Sequence, residues 1–383
     1  MKKILIINHS NPFDIGGGSF ACRAYTKAFA ELVGGKVDIC LPKENVCKID
    51  ESIMVDYYLK VPRRSFFARA FSVITGDIQR NTSYVKDLLK KNQNIYDIAV
   101  CNGSFEGGAL VDVFHKYGIR VITIHHNYEP EYVSDNEKIP VYRKIKIHHA
   151  YNYQKKAYLK SDINLFITES DCQICQREFG DTKALNRVIG VFEYQQNIET
   201  FIKNDNDTRL VFAITGSFTN TQGVDGVKYF FENLYHCLPE NSKIIISGRN
   251  PTEEVISLCS QYENVELVPN PARMSDIINQ ADVYICPTRL GGGLKLRVMD
   301  GLRMGIPVIT HSCSSRGYEV FHNTGFFGVF QNEQEFQTAL TKIISNINNK
   351  RISRPLISEE YRKVFSYEAG LNRLKKIMTE THK

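Results

Sequence analysis

Three cations crowd a run of glycines late in the chain. Arg289 stands just before Gly291, Gly292 and Gly293, and Lys295 and Arg297 follow them. An apolar run, residues 283–286, ends at Pro287 ahead of this cluster and reads as a buried strand stopping. Beyond it Leu294, Val298, Met299 and Leu302 recur at helical spacing, Gly305 closes the helix, and a new strand runs over 307–310. Strand, glycine turn and helix together aim free backbone N–H groups and the positive end of a helix dipole at an anion. Glycines let the backbone approach closely and tolerate positive φ. The chemistry on offer is the seating of a diphosphate. The plainer alternative is a tight turn flanked by solvated cations.

The elements that must position this loop repeat along the chain. At the front, a strand over 4–7 leads through Asn8 to Gly16, Gly17 and Gly18, then to a helix over 20–32 with Phe20, Ala24, Ala28 and Leu32 on one face. Strands are expected at 37–41, 97–101, 121–125 and 164–168, with helices at 83–91 and 106–117. The series restarts with a strand at 210–215, Gly216, Ser217 and a helix near 224–234. Strands at 244–247, which leads into Gly248 and Arg249, and at 265–268, 283–286 and 308–310 complete it, and a last helix covers 367–379. Alternating β and α with near-continuous apolar strands predicts an α/β protein of two Rossmann-like, doubly wound parallel-sheet domains. Their expected bounds are 1–195 and 208–360, with a C-terminal helix, 361–383, packing back towards the first. Ligands bind at the carboxyl ends of such strands, and two facing domains make a cleft there.

Three stretches break the pattern. Residues 57–74 mix Tyr57, Tyr58, Phe66, Phe67, Phe71 and Ile74 with Arg63, Arg64 and Arg69. They read as an acceptor-binding flap, a membrane-surface helix, or a helix packing its aromatics on the core. Residues 142–160, with Arg143, Lys144, Lys146, Lys155, Lys156 and Lys160, read as a solvated amphipathic helix rather than a binding surface. Between 191 and 209 polarity rises and periodicity fails, which marks the linker. Asp205 and Asp207 there form a D-x-D pair, read as a solvated turn rather than a metal site.

Composition is that of a soluble globular protein, 43% hydrophobic and 23% charged over 383 residues. A net charge of +6 suits an anionic ligand or membrane surface, and without a dominant basic stripe it argues against nucleic acid. Ten irregularly spaced cysteines make no disulfide framework. Cys172 and Cys175 form one CxxC with no second pair to complete a metal site. No stretch is long and apolar enough to span a bilayer, so a cytoplasmic protein is expected, with peripheral contact at the inner face of a membrane left open.

With these pieces in order, the chain resembles a GT-B-fold glycosyltransferase of the retaining group 1 (family 4) class, in its GGGxxxK variant. Gly248-Arg249-Asn250-Pro251, then residues 264–268, then 281–287, the glycine loop, and 300–308 follow that class's succession. His126-Asn127-Tyr128-Glu129 resembles its His-containing loop, and Gly16, Gly17 and Gly18 its N-terminal glycine loop. The resemblance implies a metal-independent enzyme without cofactor, moving a hexose from a nucleotide-diphosphate sugar, a UDP-sugar favoured. The acceptor is a hydroxyl on a glycan, lipid-linked glycan or glycoprotein. His126 would stand at the sugar, although adjacent His125 is open to the same role. Lys295 and Arg297 would serve the leaving diphosphate, and Gly216, Ser217, Arg249, Arg289, Gly291, Gly292, Gly293, Leu294 and Asp300 the donor.

Two departures from the family matter. Its E-x7-E spacing falls on Gly292 and Asp300, so the first carboxylate is missing and the second, expected to take the ribose hydroxyls, is shortened. The Arg and Lys that usually clamp the diphosphate fall on Ser217 and Gln222, which cannot neutralise a phosphate. The charge must then come from Lys295, Arg297, Arg249 or Arg289 and from backbone N–H groups. A sugar-nucleotide epimerase of the same shape, or a catalytically silent sugar-nucleotide-binding scaffold, are the alternatives.

Overall fold

The computed structural model describes residues 3–8, 11–13, 17–42, 53–65, 67, 81–91, 95–137, 139–195 and 209–380. The chain divides into two compact units, Met1–Gln196 with Phe365–Lys383, and Asn197–Val364.

The first unit holds seven parallel strands: β1 (Ile4–Asn8), β2 (Val37–Pro42), β3 (Tyr57–Val61), β4 (Ile98–Asn102), β5 (Arg120–His125), β6 (Ile163–Phe166) and β7 (Leu185–Val188), in the order β3-β2-β1-β4-β5-β6-β7. Among the described residues they are accompanied by helices α1 (Gly17–Leu32), α2 (Asn81–Lys91), α3 (Ser104–Lys116), α4 (Glu129–Asn136), α5 (Pro140–Lys160) and α6 (Glu169–Phe179). Every residue of β1 and β4 is buried, because helices cover both faces of a parallel sheet. One face packs Leu5, Ile7, Cys101 and Val121 against Val85, Leu110 and Phe114.

In the second unit six parallel strands run in the order β10-β9-β8-β11-β12-β13. They are β8 (Leu210–Ser217), β9 (Ser242–Arg249), β10 (Val265–Pro269), β11 (Val283–Cys286), β12 (Val308–His311) and β13 (Phe327–Phe330). Helices α7 (Thr221–Asn233), α8 (Glu253–Cys259), α9 (Met274–Ile278), α10 (Leu296–Arg303), α11 (Glu333–Asn348) and α12 (Arg354–Phe365) surround it. Its core joins Phe212, Ile214, Ile246 and Ile285 with Val227, Phe230 and Phe336.

Helix α13 (Tyr367–Glu380) belongs to the first unit. Tyr367 Oη donates to Glu31 at 2.8 Å, Arg373 Nε to Ile189 O at 2.9 Å, and Arg187 Nε to Glu380 at 2.8 Å. Gly370 allows this close approach: a Cβ there would lie 2.0 Å from the ring of buried Phe192.

Residues 57–61 correct the expected flap or helix. They form edge strand β3, paired in parallel with β2 from Asp38↔Tyr57 to Pro42↔Val61. An edge strand with one covered face needs only Leu59 and Val61 on the core, so it lacks the long apolar run that betrays a central strand. Phe66, Arg69, Phe71 and Ile74 lie outside the described residues, as do Gly16, Asp205 and Asp207. The nine described cysteines are all free. Cys172 and Cys175 sit in α6, where burial pushes the Cys172 thiol up to about 11 and raises that of Cys175 as well, against a thiolate redox or metal pair.

Candidate functional site

In the second unit the glycine run leaves the carboxyl end of β11 and enters α10. Gly291 and Gly293 take positive φ, +83° and +69°. A Cβ on Gly291 would sit 2.1 Å from Gln222 Nε2, so the loop and the start of α7 touch where no side chain fits. Lys295 is the residue before α10, and no side chain caps that helix among the described residues. Val298 N already donates to Lys295 O at 3.0 Å, so the N–H groups of Leu296 and Arg297 are the ones this helix start can offer an anion.

The three cations around this loop have separate fates. Lys295 is 8% exposed, and its Nζ donates to Gly291 O at 2.7 Å and Gly292 O at 2.9 Å. Burial lowers its pKa, and the charge of Arg297 lowers it further. Two of its three N–H bonds are spent holding the loop's own carbonyls. Arg289 is clamped by Asp225, Nε and Nη2 each at 3.0 Å, and lies over the Tyr229 ring. That fork turns it away from the role of a spare phosphate cation. Arg297 is half-buried, donates from Nη1 to Thr288 Oγ1 at 2.9 Å, and brings that nitrogen to 3.2 Å from where a Cβ of Gly216 would be. It thus crosses from α10 to the end of β8, the loop whose own Ser217 and Gln222 are uncharged. Ser217 Oγ meets Thr219 Oγ1 at 2.9 Å. Strand pairing sets Ser217 beside Arg249, whose side chain is exposed without an ion pair among the described residues.

Leu294 is half-buried on the loop. Asp300, on the next turn of α10, is partly exposed and accepts from Arg303 at 3.0 Å. Burial raises its carboxyl above the usual range, against the opposing pull of Arg303 and Arg297. Residues without a sequence signal complete the setting. Tyr318 Oη donates to Lys295 O at 2.8 Å, Ser314 Oγ to Thr288 O at 2.5 Å, and Cys313 Sγ to Gly291 O at 3.2 Å. They come from the turns after β12, outside any motif.

In the first unit, Gly17 and Gly18 are the first two residues of α1. The adjacent histidines after β5 differ sharply. His125 is fully buried, stacked on Phe166, with Nδ1 at 3.0 Å from Ser104 Oγ and Nε2 at 3.0 Å from Asn164 Oδ1. Asn164 Nδ2 donates to Tyr158 O and Asn186, so Oδ1 is its acceptor and His125 donates from Nε2. Burial lowers the His125 pKa to about 4. It is a neutral core residue. His126 is only half-buried, with Nε2 at 2.7 Å from Asn102 Oδ1, and Asn102 donates on to Asn8 Oδ1 at 2.8 Å. These three residues come from the carboxyl ends of neighbouring strands β1, β4 and β5. Gln154 of α5 fixes the loop by accepting from Glu129 N at 2.8 Å and donating to Asn127 O at 2.7 Å. Asp171 accepts from Tyr128 N at 3.0 Å.

Among the described residues, His236, Cys237 and Glu333 bring three potential ligand atoms within 4.8 Å of one another. None of them belongs to the glycine loop. No described helix is long and apolar enough to cross a membrane.

Residues 209–346, which contain this loop, match the family model described as Glycosyl transferases group 1. Comparison with curated protein sequences yields no significant match. Solved structures similar over nearly the whole length include sucrose-phosphate synthase from Thermosynechococcus elongatus, at a TM-score of 0.74 and 15% identity over 99% of both chains. Another is Anabaena HepE in complex with UDP, at 0.68 and 11% identity over 99% of this chain and 100% of that one. The catalytic domain of starch synthase IV from Arabidopsis thaliana, bound to ADP and acarbose, matches at 0.68 and 14% identity over 99% of both. The chain shares the two-Rossmann-domain GT-B fold with these proteins, and over residues 209–346 it is similar to group 1 glycosyl transferases.

Proposed function

We propose that the protein is a retaining, metal-independent glycosyltransferase that moves a hexose from a nucleotide-diphosphate sugar to a hydroxyl on a glycan, lipid-linked glycan or glycoprotein. The observation that carries this reading is the second unit's loop: positive-φ glycines, an uncapped helix start and the Arg297 guanidinium at Gly216, all inside the stretch matching group 1 glycosyl transferases. As the glycosidic bond breaks, negative charge grows on the leaving diphosphate, and preorganised donors there lower the barrier. In this proposal Arg297 and Arg249 meet that charge with the α10 N–H groups, and Lys295 keeps the loop in its phosphate-binding shape. Asp300 takes the ribose hydroxyls as acceptor. The first unit carries the acceptor and supplies His126, the more accessible of the two histidines, to the sugar. A phosphate oxygen of the donor helps remove the acceptor proton, so no protein nucleophile is invoked. UDP is the favoured nucleotide, and neighbours of this fold hold UDP or ADP.

The test is incubation of the full chain, in EDTA, with UDP-, ADP- and GDP-sugars and candidate acceptors. Nucleoside-diphosphate release is followed together with the anomeric configuration of the product by NMR. Transfer with retained configuration supports the proposal. Inverted product, strict metal dependence, donor isomerisation, or binding without turnover each refutes it.

A further inference from the structure

The net charge of the chain is concentrated in one helix. Helix α5 carries Arg143, Lys144, Lys146, Lys155, Lys156 and Lys160 and no acidic residue. Six of the chain's 48 basic residues and none of its 42 acidic ones lie there, so everything outside this helix holds 42 of each and is neutral. The charge of +6 is therefore a property of α5 rather than of the surface at large.

The second half of the helix has partners for its cations. Lys156 and Lys160 both pair with Asp112 of α3 at 2.8 Å, and Lys155 lies over the Tyr151 ring. The first half differs. Arg143 and Lys144 have no ion pair among the described residues, and only Lys146 pairs, with Glu137. Around them Ile139 is 60% exposed, Val141 72%, Tyr142 37% and Ile145 40%. Ala150, Gln154, Ala157 and Tyr158 are the buried positions, and at 100° per residue Val141 and Ile145 face the opposite way, Lys144 lies on the flank, and Arg143 falls on the buried side. A solvated helix puts polar residues there. Single exposed apolar residues need no explanation, but four within seven residues, interleaved with unpaired cations, mark an interaction surface.

We infer that the start of α5 docks on an anionic lipid bilayer, Val141 and Ile145 entering the headgroup region while Lys144 on their flank meets lipid phosphates. Aliphatic side chains flanked by lysine, with a tyrosine at the polar boundary, suit an interface where apolar and charged matter alternate over a few ångströms. A soluble polyanion would reward the cations and leave Val141 and Ile145 in water. The surface differs from the one residues 57–74 suggested, since β3 is one edge of the sheet and β6, the strand α5 leads into, is five places away, next to the other edge. Because α5 descends to the amino end of β6, its first half lies on the carboxyl side of the sheet, the side of the His126 loop. The inference does not depend on the donor chemistry.

The test is flotation of the full chain with phosphatidylcholine vesicles containing about 30% phosphatidylglycerol, against phosphatidylcholine alone, at low and high salt. Wild type should float with the anionic vesicles only, and weaken as salt screens the cations. Val141→Ser with Ile145→Ser should lower partitioning about tenfold and Lys144→Ser about fivefold, while melting temperature stays at the wild-type value. Absence of flotation overturns the inference. So does loss with Lys144→Ser alone, which marks a polyanion contact, and so does a changed oligomeric state with unchanged flotation, which marks a self-association face.

Discussion

Replacing Lys295 and Arg297 separately by methionine should split two effects that adjacency in sequence joins. Lys295 Nζ spends two hydrogen bonds on Gly291 O and Gly292 O, and Gly291 O keeps a weak second donor in Cys313 Sγ. In Lys295→Met, Gly292 O loses the one donor it has among the described residues. An orphaned buried carbonyl costs about 1–3 kcal/mol. Removing a buried ammonium returns part of that, so about 2 kcal/mol remains, roughly 4–8 °C in the melting of a unit of this size. Arg297→Met deletes one bond to Thr288 Oγ1 from a half-buried side chain, at most about 1 kcal/mol. Under the proposed function its guanidinium at Gly216 meets the growing charge of the leaving group, where one donor is worth about 3 kcal/mol, or 10²–10³ in rate.

Calorimetric melting together with kcat and KM for nucleoside-diphosphate release measures both quantities on the same proteins. The expected pattern is a lowered melting temperature with weakened donor affinity for Lys295→Met, and near-native melting with a large fall in kcat for Arg297→Met. If Lys295→Met melts like wild type yet loses turnover, the lysine contacts phosphate directly and the loop-holding role is wrong. If Arg297→Met destabilises as much as Lys295→Met, the assignment is reversed.

Arg249→Gln should lower kcat/KM by about tenfold without a change in melting, since its exposed side chain has no ion pair among the described residues to lose; steady-state kinetics reads this. Gly291→Ala adds a methyl 2.1 Å from Gln222 Nε2 at φ +83° and should weaken nucleoside-diphosphate binding in calorimetry, with partial rescue by Gln222→Ala because the strain of about 1–2 kcal/mol remains. His125 titrates near 6.5 unfolded and about 4 folded, so the neutral ring's contribution is complete above pH 6.5 and is lost as pH falls towards 4, up to about 3 kcal/mol. Melting of wild type against His125→Gln from pH 7.5 to 4.5 should show the steeper acid slope in wild type, and equal slopes would contradict the buried neutral ring. Gly370→Ala forces a methyl to 2.0 Å from the Phe192 ring and should destabilise the first unit by about 1–3 kcal/mol and speed amide exchange in α13, with recovery in Phe192→Leu/Gly370→Ala.

What the sequence shows and what it hides follow from how local each signal is. Central strands such as β1 and β4 are buried on both faces and read as plain apolar runs. Edge strand β7, Leu-Asn-Arg-Val, has no fully buried residue and leaves no such trace. Helix α4, Glu-Pro-Glu-Tyr-Val-Ser-Asp-Asn, is too short and polar for a periodic face. At the site, the glycine loop is legible because turn chemistry is written in consecutive residues. Its partners are not: Gln222 lies nearly seventy positions before Gly291, and Tyr318 reaches Lys295 O from a separate turn. Nothing in the sequence separates His125 from His126 either. Only the neighbours Ser104 and Asn164, brought in by α3 and β6, show that the first is consumed by the core.

The same limit explains the cations. Counted along the chain, Arg289, Lys295 and Arg297 look like a shared pool of positive charge beside the glycines. In the fold, Asp225 takes the first and the loop's own carbonyls take the second. Only Arg297 reaches towards β8, and its natural companion is Arg249, which β9 delivers to the residue beside Ser217. The uncharged pair Ser217 and Gln222 thus does not leave the end of β8 without positive charge. It moves the supply to a neighbouring strand and to the facing helix, where a guanidinium must span a longer gap and can be held by a single bond to Thr288. A cation held so lightly gives little to folding and is free to shift towards a phosphate, the distribution expected where charge is kept for the ligand rather than for the fold.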